Sequence, residues 1–122
     1  MGSVMQAAEF IQVATTADLN DGALMEAKAG DRRVLLARVG NKYYAAESNC
    51  PHMGARLADG KLEGTVLTCP RHASKFDLVD GHIIRWTDWT GVKASVSKLF
   101  RSPRALTVYP VKVEGNNILV KF

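Results

Sequence analysis

Short apolar or alternating runs, separated by turn residues, follow one another along most of the chain. Alternation of apolar and polar residues over roughly four to eight positions predicts half-buried β-strands. Eight runs fit this pattern: residues 9–15, 23–29, 32–39, 42–48, 61–69, 74–78, 106–115 and 117–122. The stretches between them are rich in Gly, Asn and Asp, which favour tight turns. Short strands at this density predict an all-β sandwich or small barrel of antiparallel sheets.

One segment, residues 85–104, departs from this pattern. Its sequence RWTDWTGVKASVSKLFRSPR lacks strand alternation, and VKASVSKLF places four apolar residues on one face of a helical turn or two. We expect a loop or helical insertion here, with Trp86 and Trp89 as packing anchors. Because no linker or internal repeat occurs, residues 1–122 are expected to form a single domain.

The composition is that of an ordinary globular domain. The 122 residues are 47% hydrophobic and 23% charged, and no apolar run is long enough to predict a membrane span. The N-terminal residues do not resemble a signal peptide. Two cysteines are too few for a disulfide scaffold, so we expect a reducing, cytoplasmic setting.

Positive charge is concentrated late in the chain. Residues 1–81 contain nine Lys and Arg against ten Asp and Glu, whereas residues 82–122 contain seven against two. The segment 85–104 is either a solvated basic surface or a docking face for an acidic partner. The candidate docking residues are Lys93, Lys98, Arg101 and Arg104. No nucleic-acid-binding motif accompanies this charge, and nucleic acid is not an expected partner.

Both cysteines and two of the three histidines fall in two short motifs. Cys50-x-His52 is followed, after sixteen residues, by Cys69-x-x-His72. A disulfide would leave both histidines unexplained, and a catalytic Cys–His pair would leave one pair unused. Two thiolates and two imidazoles suit a four-ligand metal centre, which leaves zinc and an iron–sulfur cluster as alternatives. Mixing one Cys and one His in each motif favours a binuclear cluster, with cysteines on one iron and histidines on the other.

These motifs resemble the Rieske signature, with the spacing of the Rieske-type ferredoxins. The resemblance continues through the segment from RRVLLARV to VDGHI and returns in LTVYPVKVEGNNILVKF. It implies an antiparallel β-sandwich or barrel with a cluster-binding part at about 47–84. It also implies one 2Fe–2S cluster, bound by Cys50 and Cys69 on the inner iron and by His52 and His72 on the outer iron.

The resemblance further implies residues that surround the cluster. Ser74 takes the place of a hydroxyl donor, while Phe76 stands where respiratory Rieske proteins have a Tyr. Met53 is expected to cover the site, Gly54 to allow a close backbone approach, and Pro103 to belong to a shielding loop. With no Tyr hydroxyl and no additional disulfide, the reduction potential is expected to be low. Ala73 occupies a position where the family often has Gly, so we expect its backbone to avoid a strongly positive φ.

The function that follows is electron transfer. The chain is expected to be a monomeric electron carrier, not itself an enzyme, between a reductase and a terminal oxygenase or other oxidoreductase. Two alternatives stay open: a small Rieske subunit of a multicomponent oxidoreductase, similar to nitrite reductase, and a structural zinc-binding interaction domain.

Overall fold

Strands occur in all eight predicted runs, although two of the runs are each divided into two strands and one further short strand is present. The computed structural model describes residues 10–51, 54–71, 73–85 and 104–122. These ranges contain eleven strands: β1 (Ile11–Thr15), β2 (Leu24–Ala29), β3 (Arg32–Val39), β4 (Lys42–Glu47), β5 (Lys61–Glu63), β6 (Val66–Thr68), β7 (Lys75–Asp77), β8 (Ile83–Arg85), β9 (Val108–Tyr109), β10 (Val111–Glu114) and β11 (Asn117–Val120). Two 3₁₀ turns, Thr16–Asp18 and Leu57–Asp59, complete the regular structure of the described ranges. Within those ranges, no helix has the length and apolar character needed to cross a bilayer.

The strands form three antiparallel sheets. The terminal sheet has the order β1-β11-β10, the middle sheet β2-β3-β4-β9, and the outer sheet β5-β6-β7-β8. Each pairing between neighbouring strands is antiparallel. The prediction of an all-β, antiparallel fold is therefore confirmed.

The middle sheet separates two hydrophobic cores, and β3 contributes to both. Val34 and Leu36 point toward the terminal sheet, whereas Leu35 and Ala37 point toward the outer sheet. All four side chains are buried. Since successive residues of a strand face opposite sides, a strand buried on both faces reads as an unbroken apolar run. This explains the sequence VLLA in the centre of the chain's longest described strand.

The two cores differ in composition. The terminal-strand core, between the middle and terminal sheets, is built from aliphatic side chains such as Leu19, Ile118 and Val120. The cysteine core, between the middle and outer sheets, contains Cys50 and Cys69. Its remaining buried members are Leu35, Ala37, Ala46, Leu57, Leu67, Phe76, Leu78 and Leu106. Both predicted cysteine ligands are thus part of a hydrophobic core.

Apart from shifts of one or two residues at strand ends, the strands differ from the prediction in three places. The run 61–69 is a hairpin of two strands, β5 and β6, rather than one strand. The run 106–115 is divided into β9 and β10 at Pro110, which has no N–H to continue a ladder. Strand β8 was not predicted, and it includes Arg85, the first residue of the expected insertion. The expected helical turns, with Trp86 and Trp89, lie outside the described residues.

Candidate metal centre

Two loops of equal length present the cysteines. The first cysteine loop, residues 50–55, follows β4, and the second cysteine loop, residues 69–74, joins β6 to β7. In each loop the cysteine N–H donates to the carbonyl oxygen five residues later: Cys50 to Ala55 at 2.8 Å, and Cys69 to Ser74 at 2.7 Å. The two loops are therefore closed in the same way, although one begins from the middle sheet and the other from the outer sheet.

The loops bring the two thiols together. Cys50 is 1% exposed and Cys69 is 2% exposed, and their side chains are hydrogen-bonded to each other. The two cysteines form no disulfide with each other, so the alternative of a disulfide does not describe this structure. A buried pair of adjacent thiols is an arrangement that suits two ligands of one soft metal ion.

The pKa of the Cys69 thiol helps to decide whether the pair acts as metal ligands or contains a nucleophile. The hydrogen bond with Cys50 and then burial raise the pKa of the Cys69 thiol above its ordinary value. A buried thiol with a raised pKa is a poor nucleophile, which disfavours the alternative of a catalytic Cys–His pair. A bound cation promotes the loss of the proton from both thiols and compensates the negative charge of the two adjacent thiolates. The pair therefore fits a metal centre.

A backbone donor adds to the second loop. The N–H of Arg71 donates to Cys69 and acts to lower the pKa of that thiol, although the Cys50 hydrogen bond and burial outweigh this effect. A donor of this kind stabilises negative charge on sulfur. Sequence reasoning missed it, because a backbone N–H leaves no mark on residue type.

Two side chains hold corresponding carbonyl groups in the two loops. Asn49 Nδ2 donates to the carbonyl oxygen of Gly54 at 2.9 Å in the first loop. In the second loop, Nε and Nη2 of Arg85 donate to the carbonyl oxygen of Ala73 at 3.2 and 3.1 Å. Both carbonyls belong to the fourth residue after the cysteine. Because Asn49 is adjacent to Cys50 in the sequence, its role in the first loop could have been predicted. Arg85 lies in β8, and nothing in the sequence connects it with the second loop.

The backbone at these two positions corrects the expectation for Ala73. Gly54 has φ of 76°, and Ala73 has φ of 53°, the one positive value among the non-glycine residues that the structure describes. The expectation that Ala73 avoids positive φ is therefore wrong. The loop closure from Cys69 to Ser74 imposes the same turn that the first loop makes with a glycine. At Gly54 the described surroundings leave room for a Cβ, so positive φ is the evident reason for the glycine.

The other residues expected around the cluster fall into two groups. Ser74 and Phe76 are fully buried, and Phe76 packs in the cysteine core together with both thiols. His52, Met53, His72 and Pro103 lie outside the described residues. The structure therefore brings together the two predicted cysteine ligands and the two predicted neighbours Ser74 and Phe76.

Of the candidate docking residues, Arg104 is described, and its charge is already paired. Its Nη1 and Nη2 lie 2.9 and 2.8 Å from the two carboxylate oxygens of Glu47, which also accepts the Thr107 N–H at 2.7 Å. Burial acts to raise the pKa of Glu47, but the hydrogen bonds from Arg104 and Thr107 outweigh it, and the pKa is lowered. Lys93, Lys98 and Arg101 lie outside the described residues.

An all-β domain in which two matched loops place paired thiols in a core is an arrangement that suits a thiolate metal-binding protein. Comparison with known protein families refines this class, because the family model of the Rieske [2Fe-2S] domain matches residues 9–96 of the sequence. The chain belongs to the Rieske 2Fe-2S domain family, and its cofactor is a 2Fe–2S cluster.

Relatives and solved structures agree with this membership. The chain is 30% identical over 112 residues to the ferredoxin component of the naphthalene 1,2-dioxygenase/salicylate 5-hydroxylase systems of a Ralstonia species, covering 92% of this chain and 94% of the relative. It is similar to the ferredoxin of carbazole 1,9a-dioxygenase from Nocardioides aromaticivorans, with a TM-score of 0.72, 25% identity, and coverage of 92% and 96%. A chain from a complex of reduced oxygenase and oxidized ferredoxin in carbazole 1,9a-dioxygenase has the same fold, with a TM-score of 0.71, 24% identity, and coverage of 93% and 94%.

Proposed function

We propose that this protein carries single electrons from a reductase to a terminal oxygenase. The observation that carries the proposal is the pair of matched loops, which place the buried Cys50 and Cys69 thiols in contact. Its relatives are named as ferredoxin components of dioxygenase systems, and one solved complex joins such a ferredoxin to its oxygenase. Ferredoxin components are electron carriers, and we assign this chain the same role rather than that of an enzyme.

We propose Cys50, His52, Cys69 and His72 as the four ligands of the cluster. The cluster supplies a one-electron redox centre. Cys50 and Cys69 offer thiolates from within a core, where the surrounding side chains exclude water. The Arg71 N–H stabilises negative charge near Cys69. The placement of the two histidines follows from the motif alone.

The ligand assignment is tested by metal analysis and spectroscopy of the purified protein. We expect about two irons and two sulfides per chain, together with the visible absorption of a thiolate-bound iron–sulfur cluster. His52→Ala and His72→Ala should each remove or change that absorption. His82→Ala is a matched control, because His82 lies in the loop between β7 and β8, where its Nδ1 is 2.6 Å from Asp80 Oδ1. A colourless protein with one zinc per chain would replace the proposal with the zinc-domain alternative.

We also propose a low reduction potential, on the order of −150 mV within the Rieske range. Phe76 is fully buried beside the two thiols, where it supplies no hydroxyl to stabilise the reduced state. Phe76→Tyr should raise the midpoint potential, provided that the added hydroxyl reaches a cluster or cysteine sulfur. Voltammetry of the two proteins measures the change. A wild-type midpoint well above zero would contradict this proposal.

The partners and setting complete the proposal. We infer that residues 1–122 act as one monomeric domain in the cytoplasm, where thiols remain reduced for cluster binding. An acidic partner is expected to meet Lys93, Lys98 and Arg101, whereas the charge of Arg104 is compensated by Glu47. Lys93→Glu with Lys98→Glu should slow electron transfer, most strongly at low salt. Unchanged rates and salt dependence would leave the segment as a solvated surface.

A further inference from the structure

The two cysteine loops share one backbone turn but differ in the residue that makes it. Gly54 and Ala73 each stand four residues after the cysteine, and both have positive φ. Glycine adopts this left-handed conformation freely, whereas the Cβ of alanine is forced close to the neighbouring carbonyl oxygen. The second loop therefore holds a conformation that its own sequence disfavours, and the closure from Cys69 to Ser74 needs support from contacts outside the loop.

Arg85 provides such a contact. Its guanidinium places two donors, Nε at 3.2 Å and Nη2 at 3.1 Å, on the carbonyl oxygen of Ala73. This carbonyl belongs to the strained residue itself, so the two bonds fix the orientation of the peptide group that follows the left-handed turn. Arg85 is well placed for this, because it pairs with Lys75 across the β7–β8 ladder.

The ladder is also irregular at this point. The register between β7 and β8 shifts between Lys75 and Phe76, two residues after Ala73. A local irregularity of this kind re-aims the side chains around it. The arginine, the irregular register and the strained alanine therefore form one continuous unit at the end of the second cysteine loop.

We propose that Arg85 is a positioning residue for the second cysteine loop, where it holds Ala73 in the left-handed conformation and thereby fixes the orientation of Cys69. The inference rests on the proposed function in taking Cys69 as a cluster ligand. The first loop does not need such a contact from a distant strand, because Gly54 adopts the turn without strain and the adjacent Asn49 binds its carbonyl.

The test compares four proteins: the wild type, Arg85→Gln, Ala73→Gly and the double variant. We expect Arg85→Gln to lose its cluster about tenfold faster in the presence of a chelator, which corresponds to about 1.4 kcal/mol. We also expect a broadened or shifted EPR signal of the reduced protein, because the ligand geometry becomes less uniform. In the Ala73→Gly background the same substitution should change the rate of cluster loss by about twofold or less, since glycine removes the strain that Arg85 opposes.

A matched control is available in another arginine that binds carbonyl groups. Arg38 donates from Nε to Gly40 at 2.9 Å and from Nη1 to Leu19 at 3.1 Å, far from the cysteine loops in sequence. Arg38→Gln should lower the melting temperature without changing the EPR signal or the rate of cluster loss. Arg85→Lys, which keeps the charge but not the two-donor geometry, should resemble Arg85→Gln.

The outcomes separate this inference from the proposed function. Wild-type cluster retention and EPR in Arg85→Gln, or an equal effect of that substitution in both backgrounds, would overturn the role of Arg85. If the wild type holds no iron and sulfide, the proposed function fails. Hydrogen exchange of the peptide covering residues 69–74 then decides the positioning role by itself. Faster exchange in Arg85→Gln, but not in the double variant relative to Ala73→Gly, supports the role, and any other result overturns it.

Discussion

The two faces of the middle sheet carry cores of different construction. On one face, the terminal-strand core is aliphatic and is covered by β1, β10 and β11, which have four or five residues each. On the other face, the cysteine core is covered by the outer sheet, whose four strands have three residues each. The middle sheet is thus covered by longer strands on one face and by loops and very short strands on the other.

This difference indicates how stability is distributed. A three-residue strand forms few ladder hydrogen bonds, so the outer sheet gains little from pairing alone. Its core includes the two thiols that we propose as cluster ligands, and metal binding to such a site contributes directly to folding free energy. We therefore expect the cysteine face to depend on the cofactor and the terminal face to depend on ordinary hydrophobic burial.

The largest expected effect comes from removing the cofactor. In the cluster-free protein, amides of β5–β8 should exchange about a thousandfold faster, or about 4 kcal/mol, while amides in the centre of β3 change far less. Hydrogen exchange followed by mass spectrometry measures both groups in one sample. Equal acceleration in both would show that the two faces unfold as one unit.

The next effect concerns the contact that joins the outer sheet to the returning chain. Gly81 has φ of 83°, and a Cβ there would lie 2.0 Å from the carbonyl oxygen of Leu106, whose N–H donates to Gly81. Gly81→Ala should therefore cost about 3 kcal/mol or more in free energy of unfolding. Gly115→Ala is the matched control, because Gly115 also has positive φ but open space, and should cost about 1 kcal/mol. Denaturant unfolding of both variants decides, and equal costs would refute the steric argument.

A smaller effect is expected at the ion pair that fastens the returning chain to the middle sheet. Glu47, at the end of β4, accepts hydrogen bonds from the Arg104 guanidinium and from the Thr107 N–H. Glu47→Gln should lower the free energy of unfolding by about 1 kcal/mol at pH 7. Because folding lowers the pKa of Glu47 below its ordinary 4.5, this contribution is complete above that value. It is lost as pH falls through the lower folded-state pKa. The difference in unfolding free energy between wild type and variant should therefore shrink below about pH 4.5, and a constant difference would contradict the pair's role.

The smallest effect tests the polar content of the outer sheet. Thr68 Oγ1, next to Cys69, is the one buried side-chain oxygen without a hydrogen-bond partner among the residues described. Thr68→Val keeps the shape and removes the unsatisfied hydroxyl, so we expect a gain of about 0.5 kcal/mol. Thr15→Val is the control and should lose stability, because Thr15 Oγ1 is 3.1 Å from Asp18 Oδ2. A destabilised Thr68→Val would show that this hydroxyl has a partner of its own.

The sequence predicted the part of the fold that depends on local pattern. Strands β2, β3 and β4 follow from apolar runs with clear turn residues. The spacing of the two motifs predicted that Cys50 and Cys69 would lie close together. The division of 61–69 escaped prediction because Gly64 alone marked the turn between β5 and β6. The short strand β8 lacked a long enough pattern and adjoined a segment without alternation.

The errors at the candidate site have a different origin. The backbone of Ala73 was inferred from the preference of alanine, but loop closure between Cys69 and Ser74 and the bonds from Arg85 determine it. Contacts between residues twelve positions apart leave no periodic signal in a sequence. The same reason hides the pairing of Glu47 with Arg104, which are separated by fifty-seven positions.

Burial of β3 on both faces also bears on the order in which the chain folds. A slip of one residue would exchange Val34 and Leu36 for Leu35 and Ala37, so polarity alone does not specify the alignment of this strand. The two-residue turns at 30–31 and 40–41 do, because they fix which residues of β2 and β4 lie opposite it. These contacts are close in sequence, whereas β1 must meet β11 across nearly the whole chain. We therefore expect the β2–β3–β4 meander to form the folding nucleus, and the pairing of the two ends of the chain to close the structure last.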